Sequence, residues 1–307
     1  MKIKILTLIL FLISGSFALQ AQTVKGKSAP IYVEIGEDEL PSIEPKLPKI
    51  YAVVIGVSEY QQPEMNLQYA DDDAKMYYEF LKSPQGGSLP DDRITLLLNE
   101  KATRANIIKA LNTQFKNSFD DDLVIVYIAS HGMPSAETDK LYFLGSDTDK
   151  HNLEGTGIAQ SDIIDAIRKC RAQKKIWIAD ACHSGAVRMD NAIAGLRGTQ
   201  EAAQASMVNR LLKNVATAQN GMVVLTASSS SEPSQEGARW GGGHGVFTHY
   251  LVEGLKGAAD ENKNGIVDVR EVFEYVRIKV SNDTDRKQYP DLNNPIRMPM
   301  SVLRASK

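Results

Sequence analysis

Residues Ile176 to Gly185 read IWIADACHSG, an apolar run that breaks into an acid, a cysteine, a histidine and a glycine. The run Ile176 to Ala179 is apolar at both parities, as suits a strand buried on both faces of a parallel sheet. Tyr51 to Val57, Ile94 to Leu98, Leu123 to Ala129 and Met222 to Thr226 have the same character. Helical periodicity fills the intervals. Ala70, Ala74, Tyr77, Tyr78 and Leu81 share one face, as do Ile107, Ile108, Leu111 and Phe115. Ile163, Ile164, Ile167 and Cys170 form another such face. Phe247, Tyr250, Leu251 and Leu255 follow, then Val269, Val272, Phe273, Val276 and Val280. Strand alternating with helix predicts an α/β domain, with a mostly parallel central sheet and helices on both faces. Arg297 to Leu303 is expected to add a last edge strand.

The chain has 307 residues, 43% hydrophobic and 24% charged, with a formal net charge of -3. That charge argues against nucleic acid or an anionic membrane surface as the main partner. Lys2 and Lys4, the apolar Ile5 to Ile13 and the small or polar Ser14 to Ala21 read as a secretory signal over 1–21. The mature protein is expected to be periplasmic or secreted. No later apolar run approaches the ~18 residues of a membrane span. Residues 22–48 read as a linker with a short strand at Ile31 to Ile35, and 49–307 as the folded domain. Two long segments interrupt the pattern: Ala186 to Gly221, with a helix expected near Glu201 to Lys213, and the Ser- and Gly-rich Ser228 to Gly245. Long loops in such a fold often carry function.

The chemistry concentrates at two strand ends. Leu123 to Ala129 runs into Ser130-His131-Gly132, and Ile176 to Ala179 into Asp180-Ala181-Cys182-His183-Ser184-Gly185. Open parallel sheets bind ligands at the carboxyl ends of their strands. A free thiol, with a pKa of roughly 8.5, needs a nearby base to supply the thiolate. Glycines beside the pair let backbone N–H groups approach a developing oxyanion. His183 alternates to the other side of the strand from Cys182. Cys170, on an apolar helical face, reads as a buried thiol without chemistry. The strand period of two puts Asp180 on the face of Cys182, where a carboxylate is costly unless it meets a positive partner or serves as a structural acceptor of backbone N–H bonds. Asp73 sits at the edge of its helix's buried face and can converge on the same spot, or simply favour the helix dipole in the first turn.

With these motifs in view, the chain resembles the caspase-like cysteine peptidases, and metacaspases and their bacterial relatives more than animal caspases. The resemblance rests on Tyr51 to Tyr60 (YAVVIGVSEY), Ala70 to Ala74 (ADDDA), Ser130-His131-Gly132, Asp180 to Gly185 (DACHSG) and Gly245 to Gly257 (GVFTHYLVEGLKG). It implies the caspase-like three-layer sandwich, a dyad of His131 and Cys182, and an oxyanion hole from the N–H groups of Gly132 and Cys182. It implies no cofactor for the chemistry. It implies that Asp73 and Asp180 line a pocket selecting Arg or Lys before the scissile bond, and that the segment after Cys182 can be a site of self-cleavage. The family pattern has Ser where this chain has Ala129, which concerns a pocket contact and not the dyad.

Asp260 to Glu271 also fits a calcium loop, with Asp260, Asn262, Asn264, Ile266 (by its carbonyl), Asp268 and Glu271 at the ligand positions and Gly265 at position six. Against this stands a plain turn at Asn264-Gly265, with Asp268 capping the next helix and Glu271 reaching back. Two other functions compete with an exported endopeptidase: an inactive caspase-like binding scaffold, and a calcium-dependent binding protein. An intact His131 and Cys182 argue against the first, and the second leaves the pair unexplained.

Overall fold

The computed structural model describes residues 48–135, 138, 140–182, 222–228 and 234–303. The expected signal, all but the end of the linker, His183 and the helix near Glu201 to Lys213 lie outside these residues. The elements in chain order are β1 (Ile50–Gly56), α1 (Ala70–Lys82), β2 (Ile94–Leu98), α2 (Arg104–Gln114), β3 (Leu123–Ser135), β4 (Lys140–Phe143), α3 (Leu153–Thr156), β5 (Ile158–Ala159), α4 (Gln160–Lys169) and β6 (Lys174–Cys182). After them come β7 (Met222–Thr226), β8 (Glu236–Gly237), β9 (His244–Gly245), α5 (Val246–Glu253), β10 (Ile266–Asp268), α6 (Val269–Asp283), β11 (Asp291–Asn293) and β12 (Pro299–Val302).

The main sheet runs in the order β2-β1-β3-β6-β7-β11. Its first five strands are parallel, and β11 closes the edge antiparallel to β7. These five are the apolar runs read from the sequence. Val53, Val54, Val126 and Ile178 are essentially solvent-free, and full burial of such a side chain is worth about 1.5–3 kcal/mol. Tyr127, Ala129 and His131 stand on one face, beside Ile178 and Asp180 of β6. That face is covered by α1 and α5: Tyr77 stacks on Tyr127 with ring centroids 4.8 Å apart, and Thr248 Oγ1 lies 2.6 Å from Tyr127 Oη. On the other side α2 and α4 pack together, and Phe143 of β4 meets Trp177.

The C-terminal strand departs from expectation. Pro299–Val302 pairs with β10, not with the main sheet, whose edge is taken by Asp291–Asn293. A short apolar alternation specifies a strand but not its partner. Cys170 sits one residue beyond α4 rather than within it, yet remains buried, its thiol donating to the Ile167 carbonyl at 2.9 Å. Burial pushes that thiol's pKa up, away from reactivity.

Candidate functional site

Strand order reverses between β1 and β3, because β2 lies on one side of β1 and β3 on the other. The carboxyl end of β3 and the loop after β1 therefore meet at a topological switch point. His131 stands there, the last residue of β3 in register with β6, and its Cα partner is Cys182. The parallel ladder thus brings the two sequence-predicted residues opposite one another at its last rung. Gly132 follows on β3, where the chain turns to pair with Phe143 of β4.

His131 is buried, and its Nε2 lies 2.7 Å from the backbone carbonyl of Met65. A carbonyl oxygen only accepts, so Nε2 carries a proton and Nδ1 is the basic nitrogen of the neutral ring. Tyr60 packs its ring against the imidazole, with centroids 5.3 Å apart. Neither contact was legible in the sequence, since a backbone carbonyl leaves no side-chain signature and the Tyr60 ring reaches the imidazole only through tertiary packing.

A second cluster lies one step back along β6. Thr248 of α5 donates to Asp180 Oδ2 at 2.7 Å. Asp180 Oδ1 is buried without a hydrogen-bond partner among the described residues. Asp73, in the first turn of α1, accepts the Gly245 N–H at 3.1 Å and 3.0 Å on its two oxygens, and its Oδ1 lies 3.0 Å from His244 Nδ1. The two acids do converge. A methyl group built on Gly245 would stand 2.7 Å from Asp73 Oδ2 and 3.2 Å from Asp180 Oδ2, so only glycine fits between them.

Sequence reasoning missed a third acid. Glu236 on β8 is the Cα partner of Gly245 and accepts the N–H groups of Gln68 and Tyr69 at 3.2 Å and 3.3 Å. It falls in a Ser/Gly-rich stretch without periodicity, where only the β8–β9 hairpin reveals its partner. Burial is the main cause that raises all three carboxyls. It pushes Asp180 up to about 6, and Asp73 well above its ordinary range with help from the neighbouring Asp180 charge. Burial also lowers the pKa of His244, which disfavours an internal countercharge.

The hairpin carrying Glu236 is braced by a separate set of contacts. Trp240 Nε1 donates to Asp283 at 2.5 Å, Tyr250 Oη donates to the same carboxylate at 3.1 Å, and the Arg239 guanidinium lies 4.2 Å from the Trp240 ring centroid.

The Asp260–Glu271 loop is built by its own side chains. Asp260 accepts the N–H groups of Asn264 and Gly265, Asn262 that of Asn264, and Asn264 that of Ile266. Asp268 caps α6 by accepting from Arg270 and Glu271, while Glu271 accepts the Asp268 N–H and an amide hydrogen of Asn262. The turn-and-cap geometry is therefore present. Among the described residues no three His, Cys, Asp or Glu side chains are grouped to hold a metal ion.

A parallel sheet flanked by helices, with His and Cys opposed where two central strands part, defines the caspase-like class of α/β proteins. The chain belongs to the caspase domain family of cysteine peptidases, which matches it over residues 49–299. A solved structure, protein GSU0716 from Geobacter sulfurreducens, is similar to it with a TM-score of 0.53 at 16% identity. The match covers 84% of this chain and 100% of that one. At that identity the likeness concerns the fold alone. No curated protein matches the chain. No described helix is long and apolar enough to cross a membrane.

Proposed function

We propose that this chain is an exported cysteine endopeptidase that cleaves protein or peptide substrates after Arg or Lys, with Cys182 as nucleophile and His131 as base. The observation that carries the reading is the register of β3 on β6, which pairs His131 with Cys182 one step beyond the buried Asp180. In the proposed reaction His131 takes the thiol proton and the thiolate attacks the scissile carbonyl carbon. The N–H groups of Gly132 and Cys182 receive the oxyanion. The imidazolium then protonates the leaving amine as the C–N bond breaks, and water hydrolyses the thioester.

Selection of a basic side chain is supported by Asp73, Asp180 and Glu236, which surround Gly245. Buried carboxylates without a countercharge are costly, and a guanidinium or ammonium group from substrate supplies one. A substrate Asp would be repelled. The test uses matched peptides with Arg, Lys or Asp before the scissile bond. Faster cleavage after Asp would overturn the specificity, and so would an Asp180→Asn variant that keeps its full preference for Arg. Labelling by a thiol reagent, lost in Cys182→Ala and kept in Cys170→Ala, separates a peptidase from an inactive scaffold. For Asp260–Glu271 the proposal is calcium binding without a part in the chemistry, in which the ion competes with the cap that Asp268 and Glu271 already form.

A further inference from the structure

The backbone around His131 poses a problem that one side chain solves. β1 pairs with β3 as far as Gly56 opposite Ala129, and the last bond runs from the Val57 N–H to the Ala129 carbonyl at 3.0 Å. Backbone polar groups alternate sides along a strand. The N–H and carbonyl of His131 therefore point the same way as the Ala129 carbonyl, past the place where β1 has ended. A buried N–H there needs an acceptor. Tyr60 Oη takes it at 3.1 Å, while the Leu144 N–H serves the His131 carbonyl at 3.0 Å. The phenol stands in for the strand that has turned away.

The same loop holds the other end of the residue. Leu67 N–H closes the loop on the Ser58 carbonyl at 2.9 Å. Within it, Asn66 Oδ1 accepts the Tyr60 N–H at 2.9 Å. Asn66 directly follows Met65, whose carbonyl meets His131 Nε2. One asparagine thus links the residue that fixes the backbone of His131 to the residue that fixes its imidazole. Tyr60 and Met65 are both buried, so the holder is as enclosed as the residue it holds.

We propose that Tyr60 is a positioning residue for His131, with Asn66 as the brace that keeps Tyr60 and the Met65 carbonyl in step. This rests on His131 being the base. Displacement of a reacting group by about 1 Å can cost on the order of a hundredfold in rate, so the hydroxyl acts on turnover rather than on substrate affinity. Tyr60→Phe keeps the ring and removes the acceptor. The expected result is a fall in kcat of roughly tenfold to a hundredfold with KM for an Arg peptide within about twofold. The pH of half-maximal alkylation of Cys182 by iodoacetamide should rise, because the imidazole that accepts the thiol proton is misplaced. A purely structural role would lower the melting temperature but leave kcat and the alkylation profile of the folded protein unmoved, and that result overturns the proposal. Asn66→Ala should follow Tyr60→Phe, and Asn66→Asp, which keeps the acceptor, should stay near wild type. If Tyr60→Phe does not fold, the Asn66 pair decides: equal kcat in both Asn66 variants overturns the proposal. His131→Ala is the control for the underlying reading. An alkylation profile unchanged by its loss removes His131 as base, and the proposal with it.

Discussion

Asp180→Asn should make the protein more stable at neutral pH, and the structure sets the size of the effect. Asp180 is 1% exposed, its Oδ2 accepts from the neutral Thr248 hydroxyl, and burial raises its carboxyl from 3.8 to about 6. The folded state therefore holds a proton that the unfolded state releases between those values. Stability falls as pH rises through that window and levels off above about 6. The shift corresponds to about 3 kcal/mol at pH 7.5. An asparagine carries no charge to bury, and its side-chain oxygen can still accept from Thr248. Removing the charge also relieves Asp73, whose carboxyl burial raises first and Asp180 second. The comparison is made in a Cys182→Ala background, which rules out self-digestion. Urea unfolding at pH 7.5 with and without Asp180→Asn should differ by up to about 3 kcal/mol in favour of asparagine. At pH 4 the difference should shrink towards zero, since a protonated carboxyl and an amide are similar. A variant destabilised equally at both pH values would refute the argument and point to an ionised Asp180 with a partner.

Cys182→Ala and His131→Ala should each abolish peptide cleavage while preserving the far-ultraviolet circular dichroism, since both residues stand at the last rung of the β3–β6 ladder and their truncation leaves its backbone pairing in place; comparable turnover in either variant contradicts the dyad. Cys170→Ala should remain active, with a packing cost of about 1 kcal/mol in urea unfolding. Gly245→Ala should impair turnover of Arg peptides severely, because its methyl group must displace Asp73 or the hairpin; wild-type kinetics would show the acids to lie elsewhere in solution. Calcium should raise the melting temperature by mass action, and the gain should vanish in Asp260→Ala and Glu271→Gln; identical curves with and without the ion favour the turn and cap alone.

The parallel strands were legible because burial on both faces of the central strands erases alternation, leaving short apolar runs between turn signals that suit a covered sheet. The motif ending in Gly185 marked a strand end as a place of chemistry. Asp180 and Asp73 could be singled out as acids where acids are expensive. Glu236, Thr248 and Tyr60 could not, because each owes its place to a tertiary partner: Gly245 across a two-residue ladder, a carboxylate on another element, or a backbone N–H left by the end of a strand. The last strand misled for the same reason, since Met300 and Ser301 alternate equally well against β10 or the main sheet.

The β6–β7 ladder has a consequence for chain continuity. Every contact joining residues up to 182 with those from 222 onward is non-covalent once the direct link is set aside. These contacts include the pairs Lys175–Met222 through Ala179–Thr226, the Thr248 hydroxyl on Asp180 and the Gly245 amide on Asp73. A single cut between residues 183 and 221 would sever one connection and leave the seam, with its central strands and converging acids, intact. The two fragments should then migrate separately under denaturing conditions and together under native ones, so that in this fold the intact polypeptide and the intact protein are different things.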